Sequence, residues 1–154
     1  MTTVVSKLFS AVEPDKAFFG QKDAAQVAVI RRMVRDLNIP VEVVVCPIMR
    51  EPDGLAMSSR NAYLDPQQRK SALALSRALR EVESLFAHGE RDAARLIDAG
   101  KRVMAKESGV RLDYFDVVDP DSLDAVDMIS GRALVAVAAF IGTTRLIDNA
   151  VVTV

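Results

Sequence analysis

Hydrophobic spacing divides the first third of the chain into two helices and two short strands. Apolar residues recur every three or four positions in the helices, whereas the strands are short runs rich in aromatic or β-branched residues. The predicted elements are, in chain order, a helix over residues 2–12, a strand over 16–20, a helix over about 24–37 and a strand over 41–46. This order predicts a βαβ unit whose two strands are parallel and buried.

Polar residues mark where the helices begin. Asp23 stands immediately before the second helix with Gln26 three residues later, and this spacing predicts a capping box. Residues 49–64 show little periodicity and many polar groups, so we expect a long loop of the kind that is usually functional or disordered. Asp65 and Pro66 then restart regular structure as an N-cap and a first helical residue.

The second part of the chain changes from helices to strands. The predicted elements are a helix over residues 65–87 ended by His88-Gly89, a helix over about 92–106, and strands over 110–118, 133–141 and 146–152. In the first of these strands, alternation puts Leu112 and Tyr114 on one face and Phe115 on the other. Helices followed by strands predict a small α+β domain over residues 63–154, after an α/β domain over residues 1–62.

Composition narrows the classes of function. The chain has 154 residues, of which 50% are hydrophobic and 27% charged, and its formal net charge is −1. A disordered tail is excluded, and no apolar run reaches the roughly 18 residues of a membrane span. With 20 basic against 21 acidic residues, no large basic surface for nucleic acid is expected. The single cysteine, Cys46, rules out an intrachain disulfide, so we expect a reducing cytoplasm. The N-terminal residues show no signal-peptide pattern.

The first candidate for chemistry is the turn between the first strand and the second helix. Its sequence is Gly20-Gln21-Lys22-Asp23. Ligands of open parallel sheets bind at the carboxyl ends of the strands, and the free N–H groups of a helix N-terminus favour an anion. Lys22 adds a compact positive charge, and Gly20 lets a ligand approach the backbone. The alternative is an ordinary connecting turn with a solvated Lys22 and Asp23 as a cap.

The second candidate is the loop Met57-Ser58-Ser59-Arg60. Two neighbouring hydroxyls and a permanently charged guanidinium supply several hydrogen-bond donors to phosphate oxygens. The alternative is a polar surface turn that leads into the helix at Asp65. Two other residues have simple interpretations: His88 is expected to be solvent-exposed at a helix end, and Cys46 to be a buried, inert thiol.

Both motifs occur together in one enzyme family. The residues concerned are Phe18-Phe19-Gly20-Gln21-Lys22-Asp23-Ala24-Ala25-Gln26, Ile30-Arg31-Arg32-Met33-Val34, Asp36-Leu37-Asn38, residues 50–64, and Gly142-Thr143-Thr144-Arg145-Leu146-Ile147-Asp148-Asn149. They resemble the pantothenate synthetases (pantoate–β-alanine ligases) over essentially the whole chain, and residues 53–64 are a very specific part of that resemblance. The resemblance implies that residues 1–62 form the second half of a Rossmann-like domain of the class I nucleotidylyltransferase type.

The resemblance also implies an activity. This family activates pantoate with ATP and Mg²⁺ to form pantoyl adenylate and pyrophosphate, and β-alanine then attacks the adenylate to give pantothenate and AMP. The implied ATP-binding residues are Gly20, Gln21, Lys22, Asp23, the backbone of Met49, and the mobile loop Met57, Ser58, Ser59 and Arg60, while Gln26 is implied to bind pantoate. Negative charge that develops on the phosphates would be stabilised by the catalytic residues Lys22, Ser58, Ser59 and Arg60. A homodimer is implied as well.

The chain departs from the family in one respect. The family's N-terminal half carries a His-x-Gly-His-type motif that binds the nucleotide phosphates, and the only histidine here, His88, matches neither member of it. This predicts a C-terminal part of the enzyme that is inactive alone. Two alternatives stay open, namely another adenylate-forming enzyme of the same superfamily and a non-catalytic module for dimerisation or nucleotide binding.

Overall fold

The computed structural model describes residues 1–154 and contains two sheets and four α-helices. The elements are α1 (Thr2–Val12), β1 (Lys16–Gly20), α2 (Ala24–Asp36), β2 (Glu42–Cys46), α3 (Pro66–Ala87), α4 (Ala93–Ala105), β3 (Val110–Val118), β4 (Arg132–Ile141) and β5 (Thr144–Thr153). Short 3₁₀ helices cover Gln21–Asp23 and Ser59–Tyr63. Each predicted helix and strand is present, with its ends within a few residues of the predicted ones. No helix is both long and apolar enough to cross a membrane.

The two sheets differ in the direction of their strands. β1 and β2 pair in parallel, in register from Lys16 opposite Glu42 to Gly20 opposite Cys46. β3, β4 and β5 form a separate antiparallel sheet in that order. The predicted mixed α/β class, with a parallel βαβ unit followed by helices and antiparallel strands, is confirmed.

The main hydrophobic core lies between the antiparallel sheet and helices α3 and α4. Leu75, Leu96 and Phe115 are almost completely buried there. Gly100 of α4 makes this packing possible, because a Cβ at that position would come within 2.1 Å of the Phe115 ring. Leu55, from the loop before α3, also belongs to this core. The loop that carries the second motif is therefore attached to the larger unit.

A capping box begins α3, as the sequence predicts. The Asp65 carboxylate accepts a hydrogen bond from the backbone N–H of Gln68 at 2.8 Å. The Gln68 side chain accepts one in return from the backbone N–H of Asp65 at 3.1 Å. Together with Pro66 at the first helical position, these bonds satisfy donors that the helix itself cannot pair.

The predicted capping box at α2 is wrong. Asp23 makes no side-chain cap hydrogen bond, so Gln26 has no capping partner. An N-cap residue normally has an extended backbone, whereas Asp23 is the last residue of a 3₁₀ turn with φ −93° and ψ 57°. The N-terminus of α2 is thus left without a local side-chain cap.

The predicted burial of the parallel strands is also wrong. Helices α1 and α2 cover one face of the two-stranded sheet, where Phe19 packs near Phe9 and Ile30. Phe18 points to the other face and is 66% exposed. Cys46 is only half-buried for the same reason. Sequence pattern indicates which residues are apolar but not what lies against each face, and here the second face remains partly exposed to solvent.

A β-bulge changes the faces of β3. Its register with β4 shifts between Leu112 and Tyr114, which leaves Asp113 without a direct partner. One extra residue reverses the alternation beyond it, so Phe115 is buried and Tyr114 is exposed. The predicted pairing of Leu112 and Tyr114 on one face is therefore incorrect.

Candidate functional site

The first motif lies where ligands of parallel sheets are usually bound. Gly20 ends β1, and the 3₁₀ turn Gln21–Asp23 leads directly into the N-terminus of α2. A Cβ at Gly20 would meet nothing within 4 Å, so the space in front of this backbone is open. Gly20 has an ordinary extended backbone (φ −73°), and its local fold does not itself require a glycine.

The side chain of Lys22 joins the two motifs. Its Nζ donates a hydrogen bond of 2.9 Å to the backbone carbonyl of Met57, 35 residues along the chain. Partial burial lowers the pKa of Lys22, and the positive charge of Arg60 lowers it further, while Asp23 and Asp148 act in the opposite direction. Lys22 and the loop of residues 57–60, called the serine loop below, therefore form one site in which the positive charges of Lys22 and Arg60 lie close enough to affect each other.

The serine loop presents unpaired donors to solvent. Ser58 precedes the 3₁₀ helix Ser59–Tyr63, and its Oγ accepts a hydrogen bond from the backbone N–H of Arg60 at 3.3 Å. Ser59 and Arg60 are exposed, and the Arg60 guanidinium takes part in no ion pair. These groups are free to bind an anion that enters beside Lys22.

The base of the loop is tied down on both sides. Arg50 and Ala56 form an isolated antiparallel bridge, and the backbone N–H of Met57 donates to the carbonyl of Met49 at 2.9 Å. The side chain of Met49 is 69% exposed. The amide of the buried Asn61 donates to the carbonyl of Ala56 at 3.1 Å and to a carboxylate oxygen of Glu51 at 2.6 Å. The motif thus projects from a base that is held by hydrogen bonds on both sides.

Gln26 lies beside this site and takes no part in the hydrogen bond between Lys22 and Met57. It is half-buried on the first turn of α2 and lines a cleft of about 440 Å³ that also includes Lys22. The opposite wall of the cleft comes from the antiparallel sheet and includes Tyr114 and Arg145. This volume is within the range of small-molecule sites. The structure brings Lys22, Gln26 and the serine loop to one side of the molecule.

Three polar residues, Arg50, Asp148 and Asn149, link the turn that carries Lys22 to the base of the serine loop through hydrogen bonds. The sequence patterns assigned none of them a role. Asn149 of β5 donates from Nδ2 to the carbonyls of Gln21 and Lys22, at 3.0 Å each. Its neighbour Asp148 is 3% exposed and binds the Arg50 guanidinium through both oxygens, at 2.7 and 3.0 Å. An adjacent acid and amide within an otherwise apolar strand were the available signal, because buried polar groups need partners.

No group of three or more histidine, cysteine or carboxylate side chains could hold a metal ion. Asp148, the most buried carboxylate at the site, is already neutralised by Arg50. A divalent cation that arrives on nucleotide phosphates needs few protein ligands, because Mg²⁺ keeps several waters and binds through phosphates. The side chains present are thus compatible with magnesium as part of a nucleotide complex.

Comparisons of the sequence with known proteins all identify the same family. The family model of the pantoate-beta-alanine ligases matches residues 1–151. The pantothenate synthetase of Acidobacterium capsulatum is 62% identical over 149 residues, which are 97% of this chain and 50% of that protein. The corresponding enzyme of Koribacter versatilis is 60% identical and covers 98% of this chain and 52% of its own length.

Comparison with solved structures identifies the same family. The pantothenate synthetase of Thermus thermophilus matches with a TM-score of 0.91 and 44% identity, over 97% of this chain and 54% of that one. The pantoate-beta-alanine ligase of Francisella tularensis, complexed with "Beta-gamma ATP" and β-alanine, matches with a TM-score of 0.63 and 29% identity, over 97% and 48% of the two chains. The chain therefore spans about half the length of the relatives it matches. With a family match over 151 of its 154 residues, the chain belongs to the pantoate–β-alanine ligase family.

Proposed function

We propose that this chain provides one half of the active site of a pantoate–β-alanine ligase, which condenses pantoate with β-alanine through pantoyl adenylate. The observation that carries the proposal is the hydrogen bond between Lys22 Nζ and the Met57 carbonyl. It joins a turn at the carboxyl end of a parallel strand to a loop rich in phosphate donors. The ammonium, guanidinium and hydroxyl donors gathered there suit the phosphates of a nucleoside triphosphate.

The proposed roles follow from the charge that the reaction develops. Attack of the pantoate carboxylate on the α-phosphate builds negative charge there and on the leaving pyrophosphate. Lys22 and Arg60 supply positive charge, while Ser58 and Ser59 supply hydroxyl donors, so the transition state is stabilised without a covalent enzyme intermediate. Catalysis then comes from positioning and electrostatics.

The remaining proposed roles concern binding. Gly20, Gln21 and Asp23 border the nucleotide, and the backbone of Met49 together with Met57 contacts it on the loop side. Gln26 hydrogen-bonds pantoate in the cleft that it shares with Lys22. Mg²⁺ enters on the ATP phosphates as part of the substrate complex. A cytoplasmic location and a homodimer complete the proposal, and it includes no nucleic-acid or membrane partner.

The test begins with calorimetric titration of the chain with ATP and Mg²⁺. Saturable binding is expected, because the turn Gln21–Asp23 that carries Lys22 (the Lys22 turn) and the serine loop are both present. An absence of saturable binding combined with retained self-association would instead favour a non-catalytic dimerisation module. An adenylation assay on an enzyme of the relatives' full length that contains this chain, with pantoate compared with other carboxylates, separates this family's activity from that of other adenylate-forming enzymes.

The sharper test is Lys22→Ala in an enzyme of the relatives' full length that contains this chain. Adenylate formation, followed as pyrophosphate release, is expected to fall about 10²-fold or more, as when one oxyanion donor is lost. Lys16→Ala is the matched control, because Lys16 lies at the other end of β1 in an exposed ion pair with Glu42. Pyrophosphate release that stays near normal in Lys22→Ala would contradict the assignment.

A further inference from the structure

Asn149 is the only residue whose side chain holds the backbone of the Lys22 turn. The 3₁₀ turn Gln21–Asp23 has no side-chain cap, and Asp23 does not cap α2. The Nδ2 group of Asn149 donates to the carbonyl oxygens of Gln21 and Lys22, while its Oδ1 accepts from the Gln21 side chain at 3.2 Å. These contacts span 127 or 128 residues of sequence, so they are tertiary rather than local.

Asn149 is itself held in one orientation. It is 4% exposed, and its backbone N–H donates to Asp148 Oδ1 at 2.8 Å. Asp148 in turn receives both arms of the Arg50 fork. A bidentate arginine–carboxylate pair fixes direction as well as distance, so the strand segment that carries Asn149 has little freedom to move.

The same network reaches the serine loop from its other side. Arg50 Nη1 also donates to the carbonyl of Gly54 at 3.1 Å, and Arg50 bridges to Ala56, one residue before Met57. Two adjacent residues of β5 thus hold the two motifs separately. Asn149 holds the turn, and Asp148 holds the base of the loop through Arg50.

We propose that Asn149 is a positioning residue that fixes the Gln21–Lys22 backbone and so aims Lys22 at the nucleotide phosphate. This inference rests on the proposed function for the identity of the ligand, but the geometry of Lys22 is independent of it. A charged group stabilises a transition state only while it is held in the correct position. A misplacement of such a group by about 1 Å can lower the rate about 10²-fold. Asn149 touches no reacting atom and acts through Lys22.

The test replaces Asn149 with leucine, which has a similar shape but can neither donate nor accept hydrogen bonds. Asn149→Ala is a second variant for the case in which leucine does not fit. Val152→Ala is the matched control, because Val152 is a buried residue of the same strand that packs in the main core, and its side chain makes no hydrogen bond to the turn. Two readouts are compared: the pKa of the Lys22 amine by NMR of labelled lysines, and the dissociation constant for ATP with Mg²⁺.

In the wild-type chain the pKa of Lys22 lies below the ordinary value of 10.5. Loosening the turn in Asn149→Leu is expected to raise the pKa towards that value, because the amine gains water, and to weaken ATP binding about 10-fold. Val152→Ala is expected to lower stability without moving the Lys22 pKa. The proposal is overturned if the Asn149 variants leave this pKa unchanged, or if Val152→Ala moves it equally. Absence of ATP binding by the wild-type chain, together with retained self-association, would favour a dimerisation module over the proposed function, while the Lys22 pKa still decides on Asn149.

Discussion

At the scale of single residues, Gly100 shows how one missing side chain sets the distance between two elements. Its Cβ position lies 2.1 Å from the Phe115 ring, which is itself 1% exposed. Gly100 and the Phe115 ring are both buried, so a side chain added at Gly100 would have to displace one of them. Helix α4 can therefore approach the sheet closely only with glycine at this position.

Gly100→Ala is expected to lower the free energy of unfolding by about 1–3 kcal/mol, the usual cost of overpacking a well-packed core. Urea denaturation followed by circular dichroism measures the change. Gly131→Ala serves as the control, since a Cβ there would meet nothing within 4 Å. A Gly100→Ala variant as stable as the wild type would show that α4 can shift away from Phe115 at no cost.

Residue patterns predicted the two motifs but not their support. Lys22 and Arg60 stand out as candidates because charge next to glycine and serine is chemically distinctive. Asn149 was part of a recognised motif, yet its role depends on a contact across the fold that no local spacing encodes. Asp113 is a similar case, because the bulge there follows from pairing with β4 rather than from the residue itself.

At the scale of elements, the beginning of α3 is linked to the functional loop by charge. Arg69, on the first turn of α3, binds Glu51 through Nη2 and Asp53 through Nε at 2.9 Å. The hydrogen bond from Arg69 lowers the pKa of Glu51, with a further contribution from Asn61. The backbone N–H of Leu55 lowers the pKa of Asp53, and Arg69 adds to that effect. The loop is thereby held against α3 by groups that need ionised carboxylates.

The resulting pH dependence has a definite sign. A carboxyl group whose pKa is lower in the folded state stabilises the fold above its unfolded pKa and loses that contribution as the pH falls through the folded value. For Glu51 and Asp53, the stabilisation is fully present well above their ordinary pKa values of 4.5 and 3.8, and it declines progressively as the pH falls through their lower folded values. Acid should therefore release the loop from α3.

Arg69→Ala is expected to reduce this acid sensitivity. The midpoint of urea unfolding should fall less between neutral pH and about pH 3 in the variant than in the wild type, since the carboxyl groups lose their main side-chain partner. Arg77→Ala is the control, because Arg77 lies on the same helix in an ion pair with Glu107 away from the loop. Equal acid sensitivity in Arg69→Ala and wild type would refute the link.

Element patterns also explain which structural expectations were correct. The capping box at α3 was predictable because every participating group lies within four residues. The one at α2 was not, since a 3₁₀ turn changes the backbone of Asp23. The parallel direction of β1 and β2 was predictable from the strand–helix–strand order. Their burial was not, because it depends on what lies against the second face of the sheet.

At the scale of the whole molecule, the two hydrophobic clusters are unequal. The main core contains 22 buried residues, whereas the cluster between α1, α2 and the parallel sheet contains three, namely Phe9, Ile30 and Met33. Both edges of the two-stranded sheet are unpaired, and Phe18 lies on its open face. Two-stranded sheets are marginally stable, and open edges with apolar faces favour association.

Two consequences can be measured on this chain alone. Limited proteolysis should cut first within residues 1–60, because few buried contacts oppose local opening there. Light scattering after size-exclusion chromatography should show association that increases with concentration. Phe18→Ser should weaken the association, whereas Tyr63→Ser, which removes an even more exposed aromatic ring outside the sheet, should not. A monomer protected throughout residues 1–60 would contradict this account, and it would mean that α1 and α2 suffice to stabilise a parallel pair whose second face is open to water.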